Sequence, residues 1–143
     1  MIFRDYESTD YPQLISLWEE LDLSSPERCD TKDIVEQTIN MGAKLLVMID
    51  SNKMLLGSSW MTFDGRRIFL HHFGIRKSQQ GKGYGTLLAQ ESLKFIKEKN
   101  YQVKLEVHKD NIEAKHLYEK LGFFAFTDYD IYMIRDVDNI KTT

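Results

Sequence analysis

Gln80-Gly81-Lys82-Gly83-Tyr84-Gly85 lies between a strand-like run ending at Ile75 and a long amphipathic helix pattern reaching about Lys99. Its three alternating glycines leave the backbone bare, so N–H groups can approach a ligand that a Cβ would hold off. The first amides of the helix that follows have no carbonyl partner within it, and the helix dipole adds partial positive charge there. A strand, a glycine turn and a helix N-terminus form a cradle for phosphate.

The spacing excludes two common phosphate motifs. A dinucleotide fingerprint requires G-x-G-x-x-G, but the last position counted from Gly81 is Thr86, and counted from Gly83 it is Leu88. A P-loop requires Gly-Lys followed by Ser or Thr, whereas Lys82 precedes Gly83 and the leading glycine position holds Arg76. What remains is Gln-x-x-Gly-x-Gly, read as Gln80, Gly83 and Gly85.

A second motif follows a strand-like run through Val103, Leu105 and Val107: Asn111, Ala114, Tyr118, Gly122 and Phe123, in the pattern Asn-x-x-Ala-x-x-x-Tyr-x-x-x-Gly-Phe. In this order and separation, the two motifs resemble those of the GCN5-related N-acetyltransferases, the GNAT superfamily. The resemblance covers nearly the whole chain and is nearest to short, single-domain bacterial members with a Leu-Trp-Glu segment in the first helix, here Leu17-Trp18-Glu19.

Composition fits one domain spanning 1–143, with 138–143 a frayed polar tail. The length of 143 residues, with 42% hydrophobic and 29% charged residues, is ordinary for a single globular domain. A net charge of -3 argues against a protein that grips nucleic acid through its overall field. No apolar run approaches the roughly 20 residues of a membrane helix. The start Met1-Ile2-Phe3-Arg4-Asp5 lacks the pattern of a signal peptide, and the lone Cys29 allows no internal disulfide. A cytoplasmic protein is expected. Arg76, Lys77 and Lys82 gather basic charge around the glycine turn.

Periodicity predicts a strand at 2–6, then a helix capped by Thr9 or Asp10 with Pro12 in its first turn. A second helix begins at Asp30 or Thr31. Strands follow over 45–49 and 54–63, with Asp64-Gly65 as a hairpin turn into a strand over 67–75. After the glycine turn and its helix, a strand is expected over 102–108. A helix capped by Asp110 or Asn111 runs to Gly122, and closing strands are expected over 123–126 and 129–135. This order implies a mixed α/β sheet.

The resemblance sharpens that picture. It implies a mixed, mostly antiparallel sheet of about six or seven strands, flanked by about four helices, in which the strands at 67–75 and 102–108 run parallel but splay apart. It further implies that backbone groups of Phe73, Gly74 and Ile75 pair with the pantetheine arm of acetyl-CoA, the co-substrate. Amides from Gln80, Gly81, Lys82, Gly83, Tyr84, Gly85 and Thr86 would hold the pyrophosphate, and Asn111 would bond the arm. Expected partners are acetyl-CoA and an amine acceptor, with no nucleic acid or membrane, in a monomer or homodimer.

Acetyl transfer requires a neutral amine, a stabilised oxyanion and a protonated leaving sulfur. Tyr118 matches the family's general acid; a phenol with an ordinary pKa of about 10 keeps its proton at neutral pH. A backbone N–H near Ile75 is the expected oxyanion donor. His71 and His72 occupy the central strand, and His72 is the candidate base. Trp18, Asp22, Asp64 and Arg66 are candidate acceptor contacts, with Glu19 beside them. The four histidines and Cys29 show no metal-ligand spacing, and the chemistry needs no metal. The alternative is a non-catalytic acyl-CoA-binding or sensing domain of the same fold.

Overall fold

The apolar runs of the first two thirds of the chain assemble into one five-stranded sheet, in the order β1-β2-β3-β4-β5. The computed structural model describes residues 1–142, and the chain divides into two units, Met1–Glu106 and a second beginning at Val107. The first unit contains β1 (Ile2–Asp5), α1 (Tyr11–Glu20), α2 (Lys32–Asn40), β2 (Lys44–Ile49), β3 (Leu55–Phe63), β4 (Arg67–Ile75), α3 (Tyr84–Lys99) and β5 (Gln102–Leu105). Neighbouring strands are antiparallel except β4 and β5, which are parallel.

Period-two alternation sorts the side chains of the strands between two faces. On one face Leu45, Val47, Ile49, Leu55 and Trp60 join Leu14, Leu17 and Trp18 of α1 and Val35 of α2 in a buried cluster. Fully burying a leucine-sized side chain is worth about 1.5–3 kcal/mol, so this layer anchors both helices. On the other face α3 lies close: its buried Ser92 hydroxyl donates to Leu88 O at 2.8 Å and accepts from the Ser59 hydroxyl of β3 at 2.7 Å. A Cβ on Gly57 would come within 2.6 Å of Ile75 Cδ1 and 2.9 Å of the Gly74 carbonyl, so only glycine fits there.

Local sequence sets the helix starts. Asp10 accepts the Glu7 amide at 2.8 Å and Arg4 in two bonds of 2.7 and 2.9 Å, which closes the entry to α1. The Arg4 guanidinium holds the Asp10 carboxyl below its ordinary pKa, against the opposing effect of burial. Thr31 caps α2 by accepting from the Ile34 amide at 3.3 Å. Asn100, in the left-handed region at φ 60, terminates α3 as its sequence position suggests.

In the second unit Asn111 caps α4 (Ile112–Lys120) by accepting from the Ala114 amide at 3.2 Å. Gly122, at φ 99, follows the helix end. Neither of the closing strands expected at 123–126 and 129–135 forms, so the sheet has five strands rather than six or seven. Within this unit there is no sheet to extend, and a lone two-stranded hairpin is marginal in water. Phe124 and Tyr132 are accordingly 78% and 92% exposed. Part of the expected frayed tail forms a 3-10 turn, Val137–Asn139, and residue 143 lies outside the described residues. Among the described residues no helix is long and apolar enough to cross a membrane.

Candidate active site

The glycine turn has the geometry of a cradle. Gly81 and Gly83 sit at φ 78 and 83, a region that L side chains rarely adopt, and a Cβ built on either meets no atom within 4 Å. Gly83 is the N-cap of α3 without a side-chain capping bond, and the helix's first bond runs from the Leu87 amide to Gly83 O at 3.2 Å. The amides of Tyr84, Gly85 and Thr86 precede that bond and have no carbonyl within the helix. These donors, the open space over the glycines and the positive helix end together suit a diphosphate.

The rest of the turn is braced. Gln80 donates its side-chain amide to Ile75 O at 2.9 Å and its backbone N–H to Lys77 O at 3.3 Å, so it clamps the turn to the end of β4. Lys82 donates to Gln79 at 3.1 Å. Arg76, read in the sequence as part of a basic patch, is committed to structure: it donates to Leu55 O at 2.7 Å and meets Glu20 at 3.3 Å. Glu20 also accepts the Lys77 amide at 2.8 Å, tying α1 to the turn. Sequence reading missed this role of Glu20, because nothing local marks a contact made so far along the chain.

The β4–β5 ladder ends at Leu70↔Leu105, while β4 continues through Phe73 and Gly74 to Ile75. Successive N–H groups on a strand point to opposite edges. Since Arg76 donates to Leu56 O of β3 at 2.8 Å, the Ile75 N–H points to the other edge, past the last β5 pair. The residues expected to meet the pantetheine arm and oxyanion thus occupy a strand end that β5 does not cover. Gly74 has its own packing reason, as a Cβ there would come within 2.5 Å of Leu21 Cδ1.

A register shift between Ser58 and Trp60 marks a bulge in the β3–β4 ladder opposite His72, which adopts φ 45. For a histidine this is strained by about 1–2 kcal/mol. Its carbonyl accepts from Ser58 Oγ at 2.9 Å, and Ser58 accepts from Trp18 Nε1 at 2.9 Å. The two neighbouring histidines differ chemically. His71 Nε2 lies 2.8 Å from Thr62 Oγ1 and its ring stacks on Phe69 at 4.3 Å. Burial, reinforced by the adjacent His72, pushes the His71 pKa down to about 4, so it is neutral at pH 7 and a weak base. His72 instead has Nε2 3.0 Å from Asp30 Oδ2.

The acceptor candidates scatter. Trp18 is fully buried beneath His72, with ring centroids 4.4 Å apart, and belongs to the core rather than to a substrate surface. Asp22, at φ 57, lies exposed on the loop after α1. Asp64 turns its carboxylate inward to accept the amides of Arg66 and Arg67, both at 2.7 Å. Asp64 and Arg66 sit in the turn before β4, about six strand residues or roughly 20 Å ahead of His72 at the usual strand rise, which removes them from its surroundings. Asp30 was read from sequence only as a possible start of the second helix; its approach to His72 is a long-range pairing without a local signal.

In the second unit Asn111 spends its side-chain oxygen on the α4 cap. Tyr118 packs edge-on against Phe123 with centroids 5.6 Å apart, and its carbonyl accepts the Phe123 amide at 3.0 Å. Burial pushes the Tyr118 phenol up to about 12, so it holds its proton throughout the neutral range. A concavity of the first unit is lined by Tyr6, Ile39, Lys44, Phe95 and Lys99 among others. It meets α3 at its C-terminal end, about 24 Å along the helix from the glycine turn, and takes no part in the site. Among the described residues no group of three or more His, Cys, Asp or Glu could hold a metal.

Comparison with known proteins identifies the family and the fold. The model of the acetyltransferase (GNAT) family matches residues 5–123. An acetyltransferase of Yersinia pestis is 27% identical over 124 residues, covering 86% of this chain and 87% of its own. Among solved structures, an acetyltransferase of Trypanosoma brucei superposes with a TM-score of 0.74 at 20% identity, covering 93% of this chain and 99% of that one. A predicted acetyltransferase from Clostridium acetobutylicum, solved with acetyl-CoA, gives 0.72 at 15% identity, covering 92% and 95%.

Proposed function

The chain belongs to the acetyltransferase (GNAT) family, and from that premise we propose that it transfers the acetyl group of acetyl-CoA directly to a primary amine. The observation that carries this reading is the open glycine cradle at Gly81 and Gly83, beside a β4 end that β5 leaves uncovered. Bound acetyl-CoA would supply an activated thioester carbonyl. Amides from Gly81 to Thr86 would hold its diphosphate, and the Phe73–Ile75 backbone would align its arm as a strand is aligned.

The residues of the chain then have distinct tasks. Holding both reactants in one orientation makes the attack effectively unimolecular, worth several kcal/mol of barrier. The Ile75 N–H donates to the developing oxyanion. Tyr118, the tyrosine of the second motif, is the proton donor to the departing sulfur; its raised pKa keeps it neutral until that moment. His72 takes the amine proton, since the neutral, weakly basic His71 is tied to Thr62.

The reading covers a cytoplasmic enzyme working on a small-molecule amine, a lysine or a protein N-terminus. Thiol release from acetyl-CoA, followed across a panel of spermidine, lysine methyl ester and an N-terminal alanyl peptide, tests it. Amine-dependent release supports transfer. Binding of acetyl-CoA without release to any amine would identify a sensing domain instead.

A further inference from the structure

Between α1 and α2 the chain turns through Cys29, at φ 59, and delivers Asp30 toward the β4 bulge. The Asp30 carbonyl is fixed by the Tyr11 hydroxyl, which donates to it at 3.2 Å. The Asp30 and His72 side chains are only 15% and 9% exposed, and Oδ2 lies 3.0 Å from Nε2. The pair is close but not in line, because the buried Nε2 makes no hydrogen bond. Catalytic hydrogen bonds are often misaligned without substrate and tighten when it binds.

The structure around the ring is over-determined. Trp18 and Trp60 pack on the imidazole with centroids at 4.4 and 5.2 Å, and Ser58 grips its carbonyl at 2.9 Å. Strained backbone persists where surroundings hold it, and bulges re-aim side chains beside reactive sites. A plain core histidine would require neither a left-handed backbone nor a carboxylate beside a buried ring nitrogen.

We infer that Asp30 is a positioning residue that holds the His72 imidazole in the tautomer and orientation needed to deprotonate the acceptor amine. This rests on the amine acetylation proposed above. The Asp30 carboxylate favours the proton on Nε2, leaving the lone pair on Nδ1. An ammonium N–H bond of the acceptor breaks as an Nδ1–H bond forms, and the electron pair stays on the amine nitrogen for attack on the thioester carbonyl. The carboxylate offsets the positive charge that the ring gains, and the proton then passes to water.

The test combines kinetics with ring NMR. Asp30→Asn keeps the shape and the backbone bond to Tyr11; His72→Asn uses a residue that tolerates positive φ. On whichever panel amine wild type acetylates, Asp30→Asn should lower kcat about tenfold or more, and His72→Asn about a hundredfold. Acetyl-CoA affinity should move little in either variant and the melting temperature little in Asp30→Asn, whereas His72→Asn, which vacates the packing against Trp18 and Trp60, should melt lower while staying folded. Asp30→Glu should recover part of the loss, and adding Asp30→Asn to His72→Asn should cost nothing further. In 15N-labelled protein, the His72 ring should be Nε2-protonated in wild type and a tautomer mixture in Asp30→Asn.

An Asp30→Asn protein with wild-type kcat and an unchanged tautomer would overturn the inference. So would a full extra loss in the double variant, which is the mark of a general structural role. Wild type that acetylates no amine of the panel would instead overturn the underlying transfer reading and the base role with it.

Discussion

His71 and His72 are neighbours in the chain with different surroundings: His71 meets Thr62 and Phe69, His72 meets Asp30, Trp18 and Trp60. The folded chain disfavours a proton on His71, whose pKa falls from 6.5 to about 4, so the unfolded chain binds more protons between those values. Its contribution to stability is therefore complete above pH 6.5 and is lost as pH falls toward 4. The slope is at most about 1.4 kcal/mol per pH unit, with a ceiling of about 3 kcal/mol overall. Urea unfolding at pH 7 and pH 5 should show this decline, and His71→Gln should flatten it. An equal slope in the variant would mean that His71 does not titrate as a buried neutral ring. At the same scale, Tyr118→Phe should lower acetyl transfer by about a hundredfold while leaving acetyl-CoA affinity nearly unchanged. Near-wild-type turnover would remove Tyr118 as proton donor.

At the scale of elements, the sheet depends on close approaches as much as on apolar burial. Gly57→Ala would drive a methyl into the Gly74 carbonyl, and it should cost about 1–3 kcal/mol of stability, read as a lower melting temperature. An unchanged melting temperature would show that the strands can shift apart freely. The strand over 67–75 and the helix to Lys99 were legible in the sequence, because their periodicity and stop signals are local. The open glycine turn ahead of α3 was legible for the same reason. The pairing of Asp30 with His72, the clamp of Glu20 on the turn and the burial of Trp18 were not, since each joins residues far apart in sequence. The expected closing strands failed in the other direction. Alternation at 129–135 resembles a strand, but alternation alone supplies no partner, and Tyr129 and Ile131 are 76% and 70% exposed.

At the scale of the molecule, the first unit brings together an open glycine turn, an uncovered strand end and a strained histidine beside a carboxylate. Acetyl-CoA binding at the cradle is the claim on which the rest depends. A ligand bound only by the folded state stabilises it by about 2.7 kcal/mol at a hundred times its Kd. The direct measurement is the shift in melting temperature with increasing acetyl-CoA, for wild type and Gly83→Val, each against its own unliganded value. The account predicts a saturable rise for wild type, no such rise with NAD, and little or no rise for Gly83→Val. Wild type unmoved by acetyl-CoA, or a variant that rises as far as wild type, would contradict it.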